Sequence, residues 1–315
     1  MPFHKKKKEQ KVPTNKKKFK LDKEAKKRID AEFDDRDLSE YSNYDMELSE
    51  DNEEQAQGKI RKKHYLRKFV TVTVVLCILV MIGNLTVLLA TGKLLFNEPK
   101  KRDYPIRGPI ITEEMGKISW KKFAQQNIQM AYIRATKSAA YEDENFDVNW
   151  EDSAETSLPT GALHIFDPNI DGKEQAEHFI NVVGSIDGRL LPAVEVKLDG
   201  FYKIIPVDYD EVTQKLVDYI TVIKKHYGVS PIICCNSRTY EKIICNPNLF
   251  SRDSSENFKG CPIWYESLYS KPDENIDWNF WSYTNRVKFS YYESNDYLTM
   301  TVFKGSKEDF QKYFA

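Results

Sequence analysis

From Phe69 to Gly92 the chain reads FVTVTVVLCILVMIGNLTVLLATG, without one charged residue. At about 1.5 Å rise per residue, a helix of this length reaches about 36 Å, enough for a hydrocarbon core of about 30 Å. A buried core helix is the competing reading, but such helices are seldom apolar on every face over this length. The pattern therefore predicts one transmembrane helix over residues 69–92. Asn84 is its one strongly polar residue, either meeting a partner helix or standing as a tolerated amide. The run begins only at Phe69 and is longer than a secretory h-region, so a retained signal-anchor is expected and not a cleaved leader.

The flanks behave differently. Residues 1–68 show no apolar periodicity and only scattered Phe, Tyr and Leu, which predicts a disordered tail. Residues 93–107 read as a linker. From 108 to 315, short apolar runs suited to buried strands alternate with helical stretches. The strand-like runs are Met130–Ala135, Gly161–Phe166, Leu190–Val196, Ser230–Asn236, Cys261–Glu266 and Asn279–Thr284. The helix-like ones are Trp120–Gln126, Phe146–Thr156, Gly172–Val183 and Asp210–Tyr227. In the third, Ala176, Phe179, Ile180 and Val183 recur at helical spacing. The alternation predicts an α/β fold with a largely parallel sheet covered by helices and closed into a barrel, whose sites gather at the carboxyl ends of the strands.

Charge adds the orientation. The 47 Lys+Arg against 48 Asp+Glu give a formal net charge of −1, which argues against a nucleic-acid-binding protein. The near-neutrality conceals sorting. Residues 5–28 hold thirteen basic residues against Glu9, Asp22 and Glu24, and residues 30–54 hold twelve acids opposed by Arg36 alone. Lys59–Lys68 is basic again, and residues 98–315 carry 26 basic and 33 acidic residues. The basic flank of the span places the N-terminus in the cytoplasm and residues 98–315 outside, although Lys93, Lys100, Lys101 and Arg102 follow the span. The Lys-rich block adheres to anionic lipid or to nucleic acid, or is a solvated tail that only enforces topology. No specific nucleic-acid contact is expected.

Five cysteines say little about compartment. Cys245 and Cys261 either close a disulfide across a loop or stay free, and adjacent Cys234 and Cys235 face opposite sides of a strand. No metal-ligand spacing appears, and His164, His178 and His226 are isolated.

Eight segments carry a resemblance in register. They are GKISW (Gly116–Trp120), AYIRAT (Ala131–Thr136), FDVNWEDSAETSLPTGALHIF (Phe146–Phe166), QAEHFINVVG (Gln175–Gly184), LLPAVEV (Leu190–Val196), YGVSPIICCN (Tyr227–Asn236), FWSYT (Phe280–Thr284) and TVFKGSKEDF (Thr301–Phe310). Together they resemble glycoside hydrolase family 25, the muramidases that cut peptidoglycan, over essentially all of 108–315. The resemblance implies a modified β/α barrel with a sugar-binding groove at its mouth, in a bacterial cell envelope, with neither metal nor cofactor.

The chemistry departs from the family. Glycosidic cleavage needs a carboxylic acid to protonate the leaving oxygen and a second carboxylate to support the cationic transition state. The resemblance puts four acids in the groove. In this chain Ile110 stands at the first, in GPIIT; Glu195 and Lys197 stand at the Asp and the catalytic Glu of an Asp-x-Glu pair, in PAVEVK; and Thr299 stands at the last, in LTMTVF. Glu195 is the one retained acid. Two apart on a strand, Glu195 and Lys197 share a face with β-carbons about 7 Å apart, which allows an ion pair. A lysine near pKa 10.4 is a poor proton donor at neutral pH. Asp167, Asp199, Glu266 and Asp296 are the acids placed to substitute.

Trp264, Trp281 and Tyr283 either stack on sugar faces or pack the barrel. His164 is either a structural histidine or a groove residue, and Arg134 either holds a ligand or forms a buried ion pair. The sequence thus predicts a membrane-anchored pseudoenzyme that binds peptidoglycan, another cell-wall glycan or an envelope protein. The enzyme alternative is a muramidase using Glu195 and a relocated acid. A third reading makes the charged tail a regulator coupling the outer face to an internal partner.

Overall fold

A computed structural model describes residues 35–91, 94, 95, 97–245 and 258–315. The chain divides into two compact units, Met1–Met81 and Ile82–Ala315. Helix α1 (Asp35–Ala90) is the first element among the described residues. Its segment Gln57–Ala90 is long and apolar enough to cross a membrane, and none of its apolar window is buried against protein. Thr71, Thr73 and Thr86 donate their hydroxyls to the carbonyls of Arg67, Phe69 and Ile82, four residues back, at 2.9, 2.9 and 2.8 Å. Each hydroxyl is thereby satisfied inside the helix, as an apolar surround requires.

The helix starts at Asp35, well before the apolar run. Residues 35–58 contain no proline and five glutamates, which are good helix formers. Elongating an existing helix avoids the nucleation cost that a separate helix would meet. The basic block 5–28, expected to be unstructured, lies outside the described residues.

The second unit is a closed barrel of eight strands: β1 (Arg107–Ile111), β2 (Ala131–Lys137), β4 (Thr160–Ile165), β5 (Ala193–Val196), β6 (Ile232–Asn236), β7 (Ile263–Glu266), β8 (Phe280–Val287) and β9 (Leu298–Phe303). The short β3 (Tyr141–Glu142) pairs onto the end of β2. Six consecutive pairings, from β1–β2 round to β7–β8, are parallel, and β9 closes the ring antiparallel to both β8 and β1. Because β9 runs backwards, its first residues lie at the same mouth as the carboxyl ends of the other strands.

Alternation along the strands separates two apolar layers. Ile110, Tyr132, Leu163, Ala193, Cys234, Trp264, Phe280 and Phe303 fill the barrel, with Leu190 and Phe310 packed among them. The opposite faces pack under helices α2 (Phe146–Ala154), α3 (Gly172–Val183) and α4 (Tyr209–Tyr227). Asp171 caps α3 by accepting from the N–H groups of Lys173 and Glu174, and Asp208 caps α4 in the same way through Asp210 and Glu211. Gly228, with φ at 73°, ends α4 in the left-handed conformation. A Cβ disfavours that conformation, which is why glycine is common there.

Candidate functional site

Strand period decides what reaches the mouth. Glu195 pairs with Cys234 across β5–β6, and Asn236 pairs with Glu266 across β6–β7. Cys234 and Asn236 are two apart and share a face, so Glu195 and Glu266 point inward on strands separated by one neighbour. Lys197, immediately past β5, spans that gap. Its Nζ lies 3.0 Å from Glu195 Oε2 and 2.6 Å from Glu266 Oε2. The three side chains are 15–23% exposed, so the contact is largely shielded from water. Burial opposes the charge on Lys197, yet the carboxylates of Glu195 and Glu266 hold its pKa well above the ordinary lysine value. Burial, reinforced by Glu195, raises the Cys234 thiol, which stays protonated and faces Glu195 Oε2 at 3.8 Å.

The triad fixes two carboxylates on one ammonium. Lys197 therefore keeps its proton near neutrality. Among the acids placed by sequence to substitute, Glu266 is the one brought to Glu195. Asp167 accepts from the N–H and side-chain amide of Asn169 in a local turn. Asp199 holds Lys203 at 2.9 Å and accepts from Asn236 Nδ2 at 2.9 Å. Asp296 sits in the exposed β8–β9 connection. Ile110 is buried in the barrel interior, and Thr299 is half-buried near the start of β9.

Arg134, inward on β2, forms a second charge cluster. Its Nε meets Asp143 Oδ2 at 2.9 Å, and its Nη2 meets Glu114 and Glu113 at 3.1 and 3.3 Å. The Tyr141 hydroxyl donates to Glu113. Burial works against the guanidinium charge, but Asp143 and Glu114 hold it above the ordinary arginine value. Burial likewise pushes Asp143 up, against Arg134 and the N–H groups of Glu113 and Asn145. Arg134 thus sits in a largely buried cluster of three carboxylates.

The expected aromatic platform is not at the surface. Trp264 is 0% exposed inside the barrel, near Tyr132 and donating to Ser282 Oγ at 2.8 Å. Trp281 and Tyr283 face outward under the covering layer, where Trp281 meets Tyr104 and Trp278 and donates to the Ser267 carbonyl. In a barrel wall both strand faces are buried, so an aromatic on either face packs against protein. His164 is also corrected from the glycan-binding set. It lies outside the barrel wall, fully buried, stacked on Tyr219 with ring centroids 4.9 Å apart. Its Nε2 faces Gln175 Oε1, and its Nδ1 faces the Thr136 hydroxyl at 2.7 Å. An amide oxygen only accepts, so Nε2 carries the proton and Nδ1 accepts from Thr136. Burial lowers its pKa to about 3. Cys245 and Cys261 are free thiols, so the disulfide alternative is not formed.

A family model described as "Glycosyl hydrolases family 25" matches residues 111–291, more than half of the chain. The chain belongs to glycosyl hydrolase family 25. A family 25 glycosyl hydrolase from Bacillus anthracis has 30% sequence identity and a TM-score of 0.59, covering 70% of this chain and 98% of its own. Lysozyme M1 of Streptomyces globisporus is 32% identical over 92 residues, 28% of this chain and 31% of its own. The uncharacterized protein YegX of Escherichia coli K12 is 24% identical over 217 residues, 67% of this chain and 74% of its own. The fold is therefore that of the lysozyme-like barrels, and the matched stretch holds the whole Glu195–Lys197–Glu266 triad and the Arg134 cluster.

Proposed function

We propose that the barrel is a membrane-anchored peptidoglycan-binding domain that holds glycan strands at its mouth without cutting them. One observation carries the reading: the ammonium of Lys197 sits between Glu195 and Glu266. By resemblance Lys197 occupies the place of the proton-donating Glu, so the group best placed to meet a leaving oxygen carries a proton it does not give up. Ile110 and Thr299 take two further acid positions out of play. Membership of a lysozyme family supports the substrate class. The apolar run of α1 beside the basic stretch Lys59–Lys68 supports an anchored domain outside the cell membrane, with the N-terminus in the cytoplasm.

A second reading has its own observation. Glu195 and Glu266 both touch one ammonium, so their oxygens lie within reach of the spacing used by retaining glycosidases, about 5–5.5 Å. Full-length protein in detergent, incubated with purified peptidoglycan, separates the two. Sedimentation with the insoluble glycan and no release of reducing ends is the expected outcome. Release that disappears in both Glu195→Gln and Glu266→Gln would establish the hydrolase instead.

A further inference from the structure

A groove of about 470 Å³, lined by none of the triad residues, lies between the loop after β1, helix α2 and the β8–β9 connection. Lys117, Ser119, Val148, Asp152, Tyr291 and Glu293 are among its walls. Tyr291 is the unusual member. Its φ is +75°, and the residue is nonetheless 49% exposed. A bulky side chain avoids that backbone conformation.

The strain is imposed from both sides. Before Tyr291, Ser290 and Gln126 exchange two hydrogen bonds, Gln126 Nε2 to the Ser290 carbonyl at 2.9 Å and the Ser290 N–H to Gln126 Oε1 at 3.1 Å. At Tyr291 itself the carbonyl accepts from the Ser119 N–H at 2.9 Å. Beyond it, Ile118 and Tyr292 form a β-bridge, the Lys117 N–H donates to Glu293 Oε2 at 3.1 Å, and the Glu293 N–H donates to the Lys117 carbonyl at 3.2 Å. Strained residues persist where the surroundings over-determine them, and such places cluster at ligand sites. Here the clamp leaves the side chain it distorts half exposed. It presents a rigid aromatic face beside a groove.

We infer that this groove is a second saccharide subsite, with Tyr291 as the stacking platform for a pyranose ring of the glycan. A pyranose offers a C–H face to an aromatic ring and a rim of hydroxyl or amide groups to polar partners. The groove supplies both. Val148 is its exposed apolar patch, Asp152 can accept, Ser119 can accept or donate, and the Lys122 ammonium stands 5.7 Å from the Tyr291 ring centroid. Lys117 and Lys122 balance Asp152 and Glu293 in charge, which fits a neutral polyhydroxyl chain better than an anionic or cationic ligand. The ligand class rests on the function proposed above; the position does not.

The test uses the full-length protein in detergent and two probes, peptide-free glycan strands and a soluble β-1,4-linked N-acetylhexosamine tetramer. Tyr291→Gly removes the ring while relieving the backbone, so it folds at least as well as the parent and should weaken tetramer binding roughly tenfold. Tyr291→Trp should keep the affinity. Parental affinity in Tyr291→Gly would overturn the subsite while leaving binding at the mouth intact. Binding that requires stem peptides, absent on peptide-free strands, would overturn the saccharide assignment. Failure of the parent to bind either probe or whole peptidoglycan would remove both the subsite and the proposed function.

Discussion

Lys197 neutralises two carboxylates that would otherwise face each other at the mouth. Removing one member of a shielded ion cluster strands the rest, at a cost of roughly 3 kcal/mol for a site this sheltered. Lys197→Met should lower the urea midpoint accordingly. Adding Glu195→Gln and Glu266→Gln to it should recover most of the loss, since no uncompensated charge then remains. His164 gives a pH-dependent counterpart. Its folded-state pKa of about 3 lies below the ordinary value of 6.5, so between those values the unfolded chain binds a proton that the folded chain does not. Stability therefore falls as pH drops below about 6.5, by up to about 1.4 kcal/mol per unit from this group. His164→Gln should show a shallower slope between pH 6.5 and 4 in denaturant titrations, and an unchanged slope would refute the assignment. At this scale the sequence announced Glu195 and Lys197 because two-residue spacing fixes a shared face. It left Glu266 as one of several acids, because which one meets Lys197 depends on the order of strands round the barrel. It could not place Trp264, Trp281 or His164, because both faces of these strands are apolar and either face suits an aromatic.

Among the elements, the four helices and six strands with strong apolar runs were legible from spacing. The helix over Gly172–Val183 was expected with the bounds it has. Strands β1 and β9 were not assigned. RGPII contains a glycine and a proline, and LTMTVF alternates threonine with apolar residues, so neither forms the apolar run typical of an interior strand. Their pairing supplies what their composition lacks: Gly108 opposes Thr301 across β1–β9, and a Cβ at Gly108 would lie 1.7 Å from the Met130 carbonyl oxygen. A similar close approach joins the two long covering helices. At Gly172, the first residue of α3, a Cβ would lie 1.8 Å from the Lys215 carbonyl oxygen of α4. That oxygen belongs to backbone and cannot swing aside, so Gly172→Ala must push the helices apart. The expected penalty is about 1–3 kcal/mol, read as a lowered midpoint of thermal unfolding. Gly184→Ala, where no atom lies within 4 Å of the added Cβ but φ is +65°, isolates the backbone contribution for comparison. A Gly172→Ala protein no less stable than Gly184→Ala would show that the helix contact yields more easily than its geometry implies.

At the scale of the whole molecule, the near-cancellation of 47 basic and 48 acidic residues matters less than their order. Six basic residues, Lys59, Arg61, Lys62, Lys63, Arg67 and Lys68, lie on the N-terminal side of the apolar run, close to its start. On the far side Lys93 stands alone until Lys100, Lys101 and Arg102. Orientation follows Lys and Arg within about 15–20 residues of the span, and acidic residues count for little, so the acids of 30–54 do not offset the six. The proposed topology therefore rests on a difference of a few charges, and altering those charges tests it. In intact protoplasts, added protease should degrade the barrel and leave a protected fragment containing residues 1–68. Changing Lys59, Arg61, Lys62, Lys63, Arg67 and Lys68 together to Gln leaves Lys93, Lys100, Lys101 and Arg102 as the dominant flank. A fraction of the molecules should then insert the other way, with the barrel protected and the tail cleaved. The fold of the barrel should not change in that variant, because none of the six residues lies in the compact unit that contains it. Protection of the barrel in the unaltered protein would reverse the proposed orientation and, with it, access to a wall glycan.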